Sequence, residues 1–103
     1  MTVLTDRIHH PSTSEIDLTR VLRAVGDPVR LAIVRTLADG RERPCSELLD
    51  DLGVPSSTGS YHLRLLREAG VTRTRPEGTT RMTSLRRSDL DERFPGLLDA
   101  LIA

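Results

Sequence analysis

Residues 45–70 read CSELLDDLGVPSSTGSYHLRLLREAG, and this stretch decides the fold. Leu48, Leu49 and Leu52 recur at helical spacing over residues 45–52, and Gly53 suits the stop. A second helical run covers residues 56–69 and ends at Gly70. Only Gly53, Val54 and Pro55 lie between the two. A short helix and a longer one joined by so tight a glycine-containing turn predict a helix-turn-helix. On a wheel of about 100° per residue, Gly59, Leu63, Leu66 and Ala69 share one side of the longer helix. Ser57, Ser60, Tyr61, Arg64 and Glu68 share the other. Glycine inside a helix costs about 1 kcal/mol relative to alanine, and a close helix crossing at Gly59 would justify it.

Upstream, Leu18, Val21, Leu22 and Val25 mark a helix over residues 14–25 that stops at Gly26. Asp27 followed by Pro28 is an N-cap with proline at the first helical position. It opens a second helix with Leu31, Val34, Leu37 and Ala38 on one face, closed by Asp39 and Gly40. Residues 1–13 show no period and carry Pro11, so they are expected to be an arm, ordered only where it packs. Downstream of Gly70, residues 71–75 and 80–85 are rich in Thr and Arg, with Val71 and Met82, and flank Pro76, Glu77, Gly78 and Thr79. They predict a β-hairpin. A final helical segment starts at Ser88 with Leu90, Phe94, Leu97, Leu98, Leu101 and Ile102 in one stripe. Pro95 is expected to split it and open its second half.

The expected architecture is mainly α with a small β-hairpin, in the order α-α-α-α-β-β-α. It divides into an arm (1–13), a winged helix-turn-helix domain (14–87) and a C-terminal dimerisation helix (88–103). The chain has 103 residues with only Tyr61 and Phe94 aromatic. Its core must therefore be small and aliphatic, which favours further burial against a second copy.

Net charge is zero but unevenly spread. Residues 56–87 carry seven Arg against Glu68 and Glu77, a net of +5, and both flanking segments are acidic. A localised basic region is the electrostatic footprint of a nucleic-acid binder. All fifteen basic residues are Arg, which base composition of the genome explains as readily as chemistry. The single cysteine excludes an intramolecular disulfide. No apolar run approaches the roughly 20 residues that span a bilayer, and no signal-peptide pattern opens the chain. A cytoplasmic protein is expected.

The order of elements, together with Leu22-Arg23-Ala24-Val25-Gly26-Asp27-Pro28-Val29-Arg30-Leu31, Ser46-Glu47-Leu48, Leu52-Gly53-Val54, residues 57–71 and Arg75-Pro76-Glu77-Gly78, resembles the ArsR/SmtB family of bacterial repressors over residues 16–90. The resemblance implies a homodimer on an imperfect palindromic operator, released by an effector. It also implies an interface built from the first and last helices, here Leu18, Val21, Leu22, Leu90, Phe94, Leu97, Leu98 and Leu101.

The longer helix is expected in the major groove, where hydroxyls and Arg bond base edges. Ser56, Ser57, Ser60, Tyr61, Arg64 and Arg67 are its candidate contacts. Arg64 suits a bidentate guanine contact, with a phosphate contact as the other reading. Arg67 lies at the flank. Tyr61 is bulkier than the His common at this place in the family, and His62 reads as structural. Arg73, Arg75, Thr79, Thr80 and Arg81 form the wing, directed to phosphates or the minor groove. Pro55 stands where the family often has a Ser or Thr cap. Either Ser56 caps one residue later or Pro55 is the first helical residue.

No cofactor and no metal are expected. Where the metal-sensing relatives pair two cysteines, this chain has Pro44 and Ser46. Arg87 stands where a ligating acid belongs. His9, His10 and Cys45 combining across subunits is the residual route to a metal, a polar tail the plainer reading of the two histidines. Cys45 near a helix start, with Arg41 and Arg43 close by, is a candidate thiol sensor. Its other reading is an inert thiol. The histidines have no acid or nucleophile at catalytic spacing, and there is no phosphate-binding glycine loop, so an enzyme is not expected. A protein-interaction module on the same fold is the alternative.

Overall fold

The computed structural model describes residues 8–103. A single 3-10 turn at Thr13–Glu15 precedes α1 (Leu18–Val25) and α2 (Pro28–Thr36), the latter prolonged by a 3-10 turn at Leu37–Asp39. A two-residue strand β1 (Arg43–Pro44) leads into α3 (Cys45–Asp51) and α4 (Ser56–Glu68). The hairpin β2 (Thr72–Glu77) and β3 (Thr80–Leu85) follows, then α5 (Arg87–Arg93) and α6 (Leu97–Ile102).

Local chemistry explains most boundaries. The Asp27 carboxylate accepts hydrogen bonds from the amides of Val29 (2.9 Å) and Arg30 (3.1 Å), with Pro28 at the first position of α2. Gly40 ends the turn after α2 at φ 82°, a conformation costly to any residue with a Cβ. The helix expected from Ser14 is interrupted. Asp17 caps α1 by accepting from the Arg20 amide at 3.1 Å, which leaves Ile16 to turn into the core. Pro95 does not open α6: it sits in the turn before Gly96 (φ 87°), and the helix starts at Leu97.

The sheet has three antiparallel strands in the order β1-β3-β2. Its register pairs Thr83 with Thr74 on one side and with Arg43 on the other. The expected hairpin is therefore joined by a third strand too short to leave a periodic signal. The turn tightens to Gly78 and Thr79 between the paired Glu77 and Thr80. Pro76 is accommodated because β2 is an edge strand and needs no donor on its outer side.

The core is aliphatic throughout: Ile16, Ile33, Val34, Leu37, Leu48, Leu66, Val71, Leu90 and Leu98 are all sealed from solvent. Helices α3 and α4 cross at Gly59. A Cβ there would lie 2.5 and 2.7 Å from the two methyls of buried Leu49. Gly59→Ala gains about 1 kcal/mol of helix propensity but overpacks at a cost of roughly 1–3 kcal/mol. A net destabilisation is expected, seen as a lower urea midpoint with unchanged slope.

The described part of the N-terminal segment packs. His10 Nε2 accepts from the Thr74 amide at 3.0 Å. The Pro11 carbonyl accepts from Arg86 at 2.8 Å, and that of Thr13 from Arg93 at 2.7 Å. These contacts strap the segment across the base of the hairpin and onto α5.

Candidate nucleic-acid interface

Helix α4 turns Gly59, Leu66 and Ala69 inward and leaves Ser56, Ser57, Ser60, Tyr61 and Arg64 exposed. This is the division that the wheel predicts. Tyr61 is 50% exposed, and the Arg64 guanidinium lies 5.5 Å from its ring centroid and 3.5 Å from Glu68. Pro55 occupies the cap position, Ser56 is the first helical residue and no side chain caps the helix. The first-turn amides are therefore left for solvent or an anion. Ser60 Oγ donates back to the Ser56 carbonyl at 3.0 Å.

The wing reaches the same surface. Ser56, Ser60, Thr79, Thr80 and Arg81 line one hollow of about 290 Å³ together with Cys45. Sequence reasoning places these residues on separate elements, and the fold brings them together. Other wing residues are engaged elsewhere. Arg73 pairs with Asp89 at 3.4 Å. Arg75 is held by both oxygens of Glu42 at 2.7 Å each and by Glu77 at 2.9 Å. Nothing in the sequence signals Glu42 as a partner, since it lies 33 positions away.

Several expectations need correction. Arg67 is half-buried and its Nε is buried without a hydrogen-bond partner, so it is less open to a DNA contact than the exposed Arg64. Val21, Leu90 and Leu98 are each 1% exposed. Their side chains are spent on the chain's own core and have no area left to bury against a second copy. Leu18 and Leu22 keep 43% and 47% exposure, and Phe94, Leu97 and Leu101 are half-buried.

Burial pushes the Cys45 thiol's pKa up, outweighing the opposing pull of Arg81 and Arg67. The helix start therefore does not make it an activated thiolate. His62 is structural: its Nδ1 accepts from Arg30 at 2.9 Å, while Arg30 Nε donates to the Ala24 carbonyl at 2.6 Å. His10 is a hydrogen-bond acceptor in the strap. Among the described residues no group of three His, Cys, Asp or Glu is placed to hold a metal. Nor is any described helix long and apolar enough to cross a membrane.

Two groups tie the strap to pH. Burial pushes His10 below the usual 6.5, and Arg73, Arg86, Arg67 and His9 push the same way. Its neutral form is the one folding favours. That stabilisation is complete above about pH 6.5 and is lost as pH falls through the lower folded value. Asp89 accepts from Arg86 and from Thr13 at 2.8 Å, and the Arg86 bond foremost holds its carboxyl below the usual 3.8. Its contribution is present above about pH 4 and lost on further acidification. The thermal midpoint is expected to fall first as pH drops below about 6.5 and again below about pH 4. His10→Gln keeps an acceptor near Nε2 without a titrating ring, and it is expected to remove the first fall only.

An exposed polar helix face, a wing beside it and an aliphatic core behind define a winged helix-turn-helix domain. A helix-turn-helix domain model matches residues 25–75. The transcriptional regulator YceK of Bacillus subtilis is 40% identical over 83 residues, 80% of this chain and 83% of that protein. The transcriptional repressor SmtB of Mycobacterium tuberculosis is 47% identical over 51 residues, half of this chain and 37% of the repressor.

Among solved structures, the repressor BigR of Xylella fastidiosa superposes with a TM-score of 0.66 at 31% identity, covering 82% of this chain and 81% of that one. A homodimeric winged helix-turn-helix DNA-binding domain from Mycobacterium bovis gives 0.69 at 28% identity, over 82% and 76%. The chain belongs to the ArsR/SmtB family of winged helix-turn-helix transcriptional regulators.

Proposed function

We propose that the chain is a cytoplasmic homodimer that binds a palindromic operator in a sequence-specific way and represses transcription. In this reading residues 14–87 are the DNA-binding unit and residues 88–103 complete the dimer with α1. Residues 1–13 are the arm. The observation that carries it is the exposed face of α4, which presents Ser57, Ser60, Tyr61 and Arg64 and whose Ser56 and Ser60 line one hollow with the wing tip. That face enters the major groove, and Thr79, Thr80 and Arg81 meet the adjacent backbone or minor groove. A regulatory role, as opposed to a catalytic one, is supported by the structural hydrogen bonds that occupy His10 and His62.

The test is fluorescence anisotropy with the duplex upstream of its own gene across a salt series, against a scrambled duplex. Tight, dimeric, salt-sensitive binding to the first alone fits the proposal. Absence of binding to either at low salt overturns it in favour of a protein-interaction module.

Arg75 needs a modified role. With Glu42 and Glu77 around it, the cluster is net negative, and Arg75 reaches a phosphate only by leaving Glu42. Arg75→Ala is expected to weaken binding equally on all duplexes and lower the salt slope by about one. Glu42→Gln is expected to tighten binding equally on all duplexes, by about twofold to fivefold, the worth of an exposed ion pair. A change in sequence preference from either variant would contradict the wing assignment.

A further inference from the structure

A cleft of about 390 Å³ lies between α1, the start of α2 and the C-terminal half of α4. Leu65, Ala24 and Ala69 give it an apolar floor, and Arg20, Arg23 and Arg30 surround it. Glu68 is its single acid, and it is turned towards Arg64 at 3.5 Å. The local balance is therefore two positive charges in excess.

Most of the described arginines are spent on carboxylates or carbonyls, among them Arg43 on Asp39, Arg75 on Glu42, Arg86 on Asp89 and Arg87 on Asp99. The Arg20 and Arg23 guanidiniums have no hydrogen-bond or ion-pair partner among the described residues. Arg30 uses Nε and one terminal nitrogen on Ala24 and His62, which fixes its guanidinium in place and leaves the other terminal nitrogen unpaired.

Unpaired like charges gathered at an apolar concavity are unfavourable unless something neutralises them. An arginine fork fits the oxygens of a carboxylate or phosphate two at a time. The volume falls within the range of small-molecule sites, whose usual composition is an apolar lining with a few convergent polar groups.

We propose that this cleft binds a small organic anion, an apolar body of about ring size carrying a carboxylate or phosphate. Arg30 is its fixed anchor, and Arg20 and Arg23 fold over the charged end. Leu65 and Ala69 receive the apolar part, so the occupant touches the helix that carries Arg64, next to the Glu68 that pairs with it. The site rests on its own geometry and is measured without DNA, so it stands or falls separately from the DNA-binding reading.

The experiment is an amide chemical-shift titration of the full chain with phenyl phosphate and with benzoate, benzylamine serving as the cationic control. Saturable shifts confined to the neighbourhood of Arg20, Arg23, Ala24, Leu65, Glu68 and Ala69 are expected with at least one anion and not with benzylamine. The double variant R20A/R23A, whose replaced side chains are exposed and should leave the fold intact, is expected to bind about tenfold more weakly or worse.

Absence of saturable shifts with both anions overturns the proposal, as does equal binding by the double variant or by benzylamine. A double variant that keeps its anion affinity but loses affinity for operator and scrambled duplex alike would also overturn it. The two arginines would then be phosphate contacts of the DNA interface.

Discussion

Leu22→Glu is expected to yield a folded monomer that binds its operator at least about a hundredfold more weakly than the parent chain. Leu22 is 47% exposed and Leu18, one turn earlier on α1, 43%; among the described residues these are two of the three large hydrophobic side chains most open to solvent. In the isolated chain the substitution exchanges an exposed apolar side chain for a charge, a change usually worth no more than about 0.5 kcal/mol. In a dimer the same carboxylate would be buried without a partner, at a cost of several kcal/mol.

Losing the dimer uncouples the two half-sites. The advantage of tethering a second recognition helix at high effective concentration is typically about 10²–10⁴ in affinity. Light scattering coupled to gel filtration, circular dichroism and anisotropy read the three consequences separately. A variant that stays dimeric and keeps its affinity would remove α1 from the interface. A Val21→Glu control is expected to behave differently: Val21 is sealed in the core, so that variant should lose the fold itself.

That contrast between Val21 and Leu22 marks where sequence reasoning stops. The elements were legible because their signals are local: Asp27 with Pro28, Gly53 in the turn, Gly59 at the crossing, Gly70 at the exit of α4. Each boundary follows from a cap, a proline or a positive φ within a few residues. The strand β1 was not legible, since two residues carry no period and owe their pairing to β3.

The exposed face of α4 was legible for the same reason as the helix, but the state of its neighbours was not. Periodicity identifies an apolar stripe without saying which members face the chain's own core, so Leu90 and Leu98 read like Leu97 and Leu101. Composition counts Arg75 as a positive charge for DNA, whereas Glu42 folds against it from a distant loop. A helix start argues for a reactive Cys45, and burial reverses the sign. The hub at Asp89, which gathers Thr13, Arg73 and Arg86 from three separate segments, has no counterpart in any local pattern.

The reading face has a sharper test in Arg64→Ala, expected to cost about 1–3 kcal/mol on the operator, a factor of roughly 5 to 150, and much less on a scrambled duplex. Arg64 sits mid-helix on the exposed face, with Tyr61 one turn before it and Glu68 one turn after. Its ion pair with Glu68 is long and solvent-exposed, hence worth no more than about 1 kcal/mol, so the guanidinium is surrendered to a base with little resistance.

The competing role is a phosphate contact, and the two separate in Arg64→Lys. A lysine keeps the charge but lacks the planar fork that meets two acceptors of guanine together. If Arg64 reads a base, the lysine variant retains the salt slope and the affinity for scrambled DNA while losing most of its preference for the operator. If Arg64 holds a phosphate, the lysine variant restores affinity on both duplexes and the preference is untouched. Arg75→Lys, at a position whose proposed action is charge alone, is expected to leave both affinity and preference nearly unchanged.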